Sequence, residues 1–321
     1  MTTTQERSDA RQTGLGEALS GALQWRLLIG WTLLMLLPTA VMAMPLWRML
    51  GSLLDASPRA AEAARRFDVL VLEDVMVGFA HGGAAVAGAA TMATILALLL
   101  SPLGAALAVT AARQPARTLG WVALLQGAIA GYGRMFRMML VSLVPLGVVG
   151  GIGAAASALA HKRAETAILE SQADRASQVA TLLTVVVFVL IHATVEAGRA
   201  QLAADESLRS AWRAWIRGLR LTLRQPLAVL GRYVGATLVS LLVASVLLLL
   251  RLRIVGGNGA TFWLGFLVTQ LAVAAIGWGR ASRLFALTAL TRSLAPAPRA
   301  IAAPLVPPSG APAAPPYAGP A

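Results

Sequence analysis

His192 and Glu196 stand four residues apart inside an apolar stretch, and Arg199 follows one turn later. At helical spacing all three fall on one face. An ionisable group inside a membrane span is a functional candidate by default. A His–Glu pair there relays protons or holds a cationic substrate. The competing reading is structural: Glu196 pairs with Arg199, Arg232 or Arg280, and His192 hydrogen-bonds within a helix bundle. The residues favour the structural reading. Gln270, with Thr269, and Arg280 complete the polar candidates within apolar runs. Gln270 and Thr269 are expected to act as interhelical hydrogen-bond glue.

Catalytic chemistry finds little else to rest on. The chain has no cysteine and three histidines, His81, His161 and His192, so thiolate metal sites are excluded and a His-rich centre is not expected. No P-loop, HExxH or GxSxG is present, so no nucleotide-driven step, zinc protease or hydrolase nucleophile is visible. No cofactor, metal or catalytic residue is assigned. Asp55, Asp68, Glu73 and Asp74 lack ligand spacing and read as a solvated face.

The sharpest physical pattern is a helix-like segment, residues 205–225. Arg209, Arg213, Arg217, Arg220 and Arg224 follow spacings of 4, 4, 3 and 4, which place them on one helical face. Leu208, Trp212, Trp215, Ile216, Leu219 and Leu223 fill the other. Asp205, Glu206 and Ser207 supply caps and negative charge at the N-terminus, and Pro226 stops the helix or opens the next. An arginine face opposite a Trp/Leu face suits a helix lying in the plane of an anionic leaflet. The partner implied is anionic lipid at the cytoplasmic leaflet, or a protein; the alternative is a topology anchor for the following span.

These residues need a membrane around them. Of 321 residues, 57% are hydrophobic and 13% charged, against about 25% charged in a soluble domain. The mean hydropathy is +0.71. Six runs reach the roughly 20 residues that cross a bilayer: about 27–47, 88–112, 138–160, 179–198, 233–250 and 262–278. Trp25 and Trp47 bracket the first at about 33 Å. Pro38 and Pro45 are expected to kink that helix, Pro102 to interrupt the second span and Pro145 the third. Gly147 and Gly151 form a GxxxG in the third span, which permits close helix packing.

The formal net charge is +13. In a soluble chain that would point to nucleic acid; here the cations cluster between spans and set topology, with no nucleic-acid partner. With the N-terminus inside, the cytoplasmic segments hold 18 of 27 cations and 6 of 14 acids. The positive-inside rule therefore expects N-in and C-in, although Arg251 and Arg253 fall outside. The domains are a cytoplasmic segment 1–24, a six-helix transmembrane domain 25–294, and a Pro/Ala-rich tail 295–321, expected to be disordered. Residues 56–80 are expected to form an extracytoplasmic helix capped by Ser57 and Pro58. The fold class is all-α, an integral membrane bundle with interfacial amphipathic helices.

A partial internal repeat runs through this layout. Ala111-Ala112-Arg113 and Ala197-Gly198-Arg199 end two spans, and Gly279-Arg280 ends the sixth. Trp121, Ala123 and Gly127 align with Trp212, Ala214 and Gly218 at one offset, implying a unit of helix, interfacial segment and helix used twice. The Ser101-Pro102-Leu103-Gly104 break, the small-residue-then-Arg ends and the basic interhelical segments resemble a group of bacterial six-helix membrane proteins. That group includes the membrane region attached to some glycerophosphoryl diester phosphodiesterases, whose catalytic domain is absent here. The resemblance implies a membrane bundle and no reaction. The expected function is a non-enzymatic accessory or structural role in a bacterial inner membrane. The alternative is a small transporter built from two repeats, with His192 and Glu196 in its path.

Overall fold

The computed structural model describes residues 14–55, 69–114, 118–166, 169–254 and 258–294, and every regular element in them is helical. A short helix α1, residues 14–21, precedes α2 (Trp25–Leu54), α3 (Val69–Arg113), α4 (Trp121–Glu165) and α5 (Glu170–Ala204). Then come the short α6 (Ala211–Arg224), α7 (Pro226–Arg253) and α8 (Gly259–Ser293). Six of these, all but α1 and α6, are long and apolar enough to cross a membrane, α3 from Gly83 onward. They coincide with the six apolar runs but extend well past them. At 45 residues, α4 measures about 67 Å against a hydrocarbon core of about 30 Å.

Local chemistry sets several helix ends. Asn258 and Thr261 form a reciprocal capping box at the start of α8. Pro226 occupies the first position of α7, where its missing N–H is no loss. The expected breaks at Pro102 and Pro145 do not occur: α3 and α4 run through them, as α2 does through Pro38 and Pro45. Each proline removes one intrahelical hydrogen bond, and long helices packed on neighbours absorb that loss. Of the expected outer helix, residues 56–68 lie outside the described residues; from Val69 the segment is simply the start of α3. The segments 1–13 and 295–321, with the expected tail, also lie outside them.

Sequential helices pack as neighbours from α2 to α5, α7 pairs with α8, and α8 closes the bundle against α5 and α2. The buried core gathers at one end. It is built from the C-terminal turns of α3, α5 and α8, the N-terminal parts of α2, α4 and α7, and the buried faces of α1 and α6. Ala106, Ala111, Ala128, Ala193, Ala214 and Ala286 are almost wholly inaccessible; such small side chains let backbones approach closely. Toward the other end the helices expose apolar side chains, among them Leu143, Val144, Leu182, Leu242, Leu249 and Trp263. In lipid those faces carry no penalty.

Arginines tie the packed end together by binding helix C-termini. The last four carbonyls of a helix lack intrahelical partners and carry partial negative charge. Arg113 Nη2 donates to Leu202 O of α5 at 3.2 Å, and Arg292 donates to Ala112 O and Arg113 O of α3, each at 3.3 Å. Arg26 reaches Leu119 O at 3.1 Å.

The internal repeat is visible in the packing. Met138, Ser142, Pro145 and Val149 form the buried stripe of α4; Val229, Tyr233, Ala236 and Ser240, each 91 positions on, form that of α7. Gly127 faces the Thr110 side chain near the end of α3, and Gly218 faces Ala197 and Gly198 near the end of α5. In the first unit α4 is one helix. In the second the chain breaks at Gln225, with Pro226 following, and yields α6 and α7.

Candidate functional site

α5 carries the acidic centre of the packed end. Glu196 is 2% exposed, and its Oε1 accepts from Arg199 Nη1 at 2.7 Å. A charge-assisted bond of that length is strong, and losing one partner of a buried pair costs about 3–5 kcal/mol. His192, one turn earlier, has Nε2 at 3.9 Å from the same Oε1, beyond direct hydrogen-bond reach. Its Nδ1 lies 2.8 Å from the Tyr233 hydroxyl of α7. This bond ties α5 to α7. Phe188 stacks on the other side of the imidazole, ring centroids 5.3 Å apart.

α8 brings two more cations. Arg283 lies over the Tyr233 ring at 5.3 Å and donates to Thr237 Oγ1 at 3.0 Å; its Nε is buried without a partner. Arg280 lies over the Trp31 ring of α2 at 5.1 Å. Trp31 is held in a slot between Gly104 of α3 and Gly277 of α8, where any larger residue would meet its ring. Both arginines interact electrostatically with Glu196. Four helices thus converge on one carboxylate and three guanidiniums.

The sequence-predicted residues divide accordingly. His192, Glu196, Arg199 and Arg280 come together. Gln270 does not: it lies ten residues before Arg280 on α8, about 15 Å along the axis, and makes no side-chain hydrogen bond among the described residues. Thr269 donates to Gly265 O of its own helix at 2.8 Å, so it is not interhelical glue. Arg232 bonds Ala228 O at 3.3 Å rather than Glu196. Gly147 and Gly151 have nothing near them, so the GxxxG is not a packing seam within the chain. Tyr233, Thr237, Arg283 and Trp31 were missed. The available signal was Arg283 at i+3 from Arg280; Tyr233 and Trp31 reach the cluster only through tertiary packing.

α6 differs from a two-faced helix. Its N-cap is Ser210, whose Oγ accepts from Arg213 N at 3.3 Å, not the Asp205–Ser207 run. Asp205 instead accepts from Ser207 N and Oγ and from Arg217 Nη1, the last at 3.0 Å. The Ser207 hydroxyl first, and Arg217 as well, hold the Asp205 carboxyl below its usual range. Ala211, Ala214, Gly218 and Thr222 form the buried face, and Trp215 Nε1 donates to Thr194 Oγ1 of α5 at 3.2 Å. Trp212 is 48% and Leu223 71% exposed. The arginines Arg209, Arg213, Arg217, Arg220 and Arg224 form a third, exposed face. The small-residue face was hidden in the sequence because alanine and glycine count for little in an apolar/charged pattern.

Between α6 and α4 lies an open groove of about 520 Å³, lined by Arg137, Leu140, Val141, Arg209, Ser210, Ala211 and Trp212. Two cations flank an indole and two aliphatic side chains. Among the described residues no group of His, Asp and Glu is placed to hold a metal ion. No protein-family model, no curated protein and no solved structure matches the chain.

Proposed function

We propose that this chain is a non-enzymatic, multi-pass protein of the bacterial inner membrane, with both termini inside, whose packed basic end lies at the cytoplasmic face and engages anionic phospholipid. The observation that carries this is the groove between α4 and α6. Arg137 and Arg209 line it together with Leu140, Val141 and Trp212, and Leu140 and Val141 follow Arg137 along α4 toward its apolar stretch. That is the chemistry of a phospholipid: an anionic headgroup on arginines, acyl chains along aliphatic residues, an indole at the boundary. The three-faced α6 supports it. One face docks on α5, one presents Trp212 and Leu223 to lipid, and one presents arginines to headgroups. The structural role rests on how polar side chains are used. His192 binds Tyr233, Glu196 binds Arg199 and Arg283 binds Thr237, so each joins or stiffens helices at the packed end.

The test is lipid retention by the full-length protein, extracted in mild detergent and read by native mass spectrometry. Phosphatidylglycerol should be retained over phosphatidylethanolamine. The pair Arg137→Gln and Arg209→Gln should lose most of that preference while the thermal unfolding midpoint stays near that of the parent. Equal retention of the two lipids by the parent protein refutes the proposal.

A further inference from the structure

We infer that the cluster at α5 and α8 is a binding site for a phosphate oxyanion, held between Arg280, Arg283 and Arg199, and separate from the groove between α4 and α6. The inference begins with charge. Glu196 is the one carboxylate in a salt bridge with this group among the described residues, and Arg280 and Arg283 also interact with it electrostatically. Its close bond is to Arg199 alone. Two positive charges are therefore left without a counter-charge at the packed end of a membrane bundle, where an unpaired ion is strongly disfavoured. A structural ion-pair network would be expected to balance; this one does not.

The second argument is donor supply. Each guanidinium carries five N–H donors in a rigid fork. Arg280 makes no side-chain hydrogen bond among the described residues; its one close partner is the face of Trp31. Arg283 uses one nitrogen on Thr237; its Nε is buried with almost no accessible surface and is not among the donors a ligand reaches. Donors in this number and geometry match a tetrahedral oxyanion better than a halide, because arginine forks engage two oxygens at once. The third argument is rigidity. Trp31 is clasped between Gly104 and Gly277, and Arg283 is fixed by Thr237 and Tyr233, so the donors are oriented before a ligand arrives. Arg199 is 11% and His192 20% exposed.

The phosphate has two sources, a lipid headgroup or free phosphate in the aqueous phase, and the experiment separates them. The full-length protein is purified in mild detergent and, in parallel, stripped of lipid. Inorganic phosphate is titrated into both at constant ionic strength, set with chloride, while ³¹P line width and thermal unfolding are recorded. Binding to both preparations identifies free phosphate. Binding to the stripped protein alone, with one phospholipid adduct in native mass spectra that Arg280→Gln lacks, identifies a headgroup. In either case Arg280→Gln should weaken phosphate binding roughly tenfold or more, and Arg280→Lys by less, because it keeps the charge and loses the fork. Should Arg280→Gln not fold, the wild-type titration and the Lys variant decide the matter alone. The inference fails if phosphate broadens no signal and shifts no unfolding midpoint in either wild-type preparation, or if Arg280→Gln folds and binds phosphate as the parent does.

Discussion

Glu196 is the residue on which the packed end most depends. Replacing it with Gln leaves Arg199, Arg280 and Arg283 without a carboxylate. We expect a loss of about 3–5 kcal/mol, the usual consequence of stranding a buried charge, measured as a lower unfolding midpoint in detergent. Tyr233→Phe deletes only the hydroxyl that meets His192 Nδ1 and should destabilise by about 1 kcal/mol. A Glu196→Gln protein that unfolds at the parental midpoint would remove the structural role assigned to this carboxylate. Asp205 offers a pH signature. Its carboxyl is held below the usual range by Ser207 and then Arg217. The native state therefore gains from its ionisation above the unfolded pKa of about 4, and that gain is lost as pH falls through the lower folded value. The protection of α6 amides against hydrogen exchange, corrected for the intrinsic rate, should fall on acidification below about pH 4, and Asp205→Asn should remove that component of the change.

At the scale of elements, α6 is held by close approach. Gly218 sits against the backbone of Ala197 and Gly198, and Gly198 against Trp215 and Ala214. A side chain at 218 has no flexible neighbour to displace, because what it meets is main chain. Gly218→Val should separate α6 from α5, and crowding of this kind costs about 1–3 kcal/mol or more; limited proteolysis within 205–225 would report it as faster cleavage. Gly147→Ala and Gly151→Ala, in contrast, face open space and should leave unfolding unchanged. The comparison separates packed glycine pairs from those that occur by composition alone.

For the whole molecule, the packed end and the apolar spans are distinct regions of the same long helices. A helix longer than the hydrocarbon core, as α4 is at 45 residues, extends beyond it. Combined with the charge asymmetry, this expects reporter fusions at residues 115 and 210 and at the C-terminus to read as cytoplasmic. Fusions near residues 65 and 168 should read as external. A periplasmic signal at residue 210 would invert the proposed orientation and with it the leaflet that α6 contacts.

The sequence by itself determined the class, the six spans and the candidates on α5, because lipid imposes length and hydropathy on every crossing helix regardless of its neighbours. His192, Glu196 and Arg199 were legible for the same reason: a charge inside an apolar run stands out, and helical spacing puts the three on one face. What the sequence did not carry was partnership. Whether Glu196 met Arg199, Arg232 or Arg280 depended on which helices touched, and α8 rather than a sequence neighbour supplies Arg280 and Arg283. The docking face of α6 was equally hidden, since Ala211, Ala214 and Gly218 have weak hydropathy and act by allowing backbones to meet. Pro102 and Pro145 read as breaks because proline penalises a helix locally; long helices packed on their neighbours carry both without interruption. Local chemistry fixes what each helix is, and only the tertiary structure decides which small faces find one another and which charges are left for a ligand to balance.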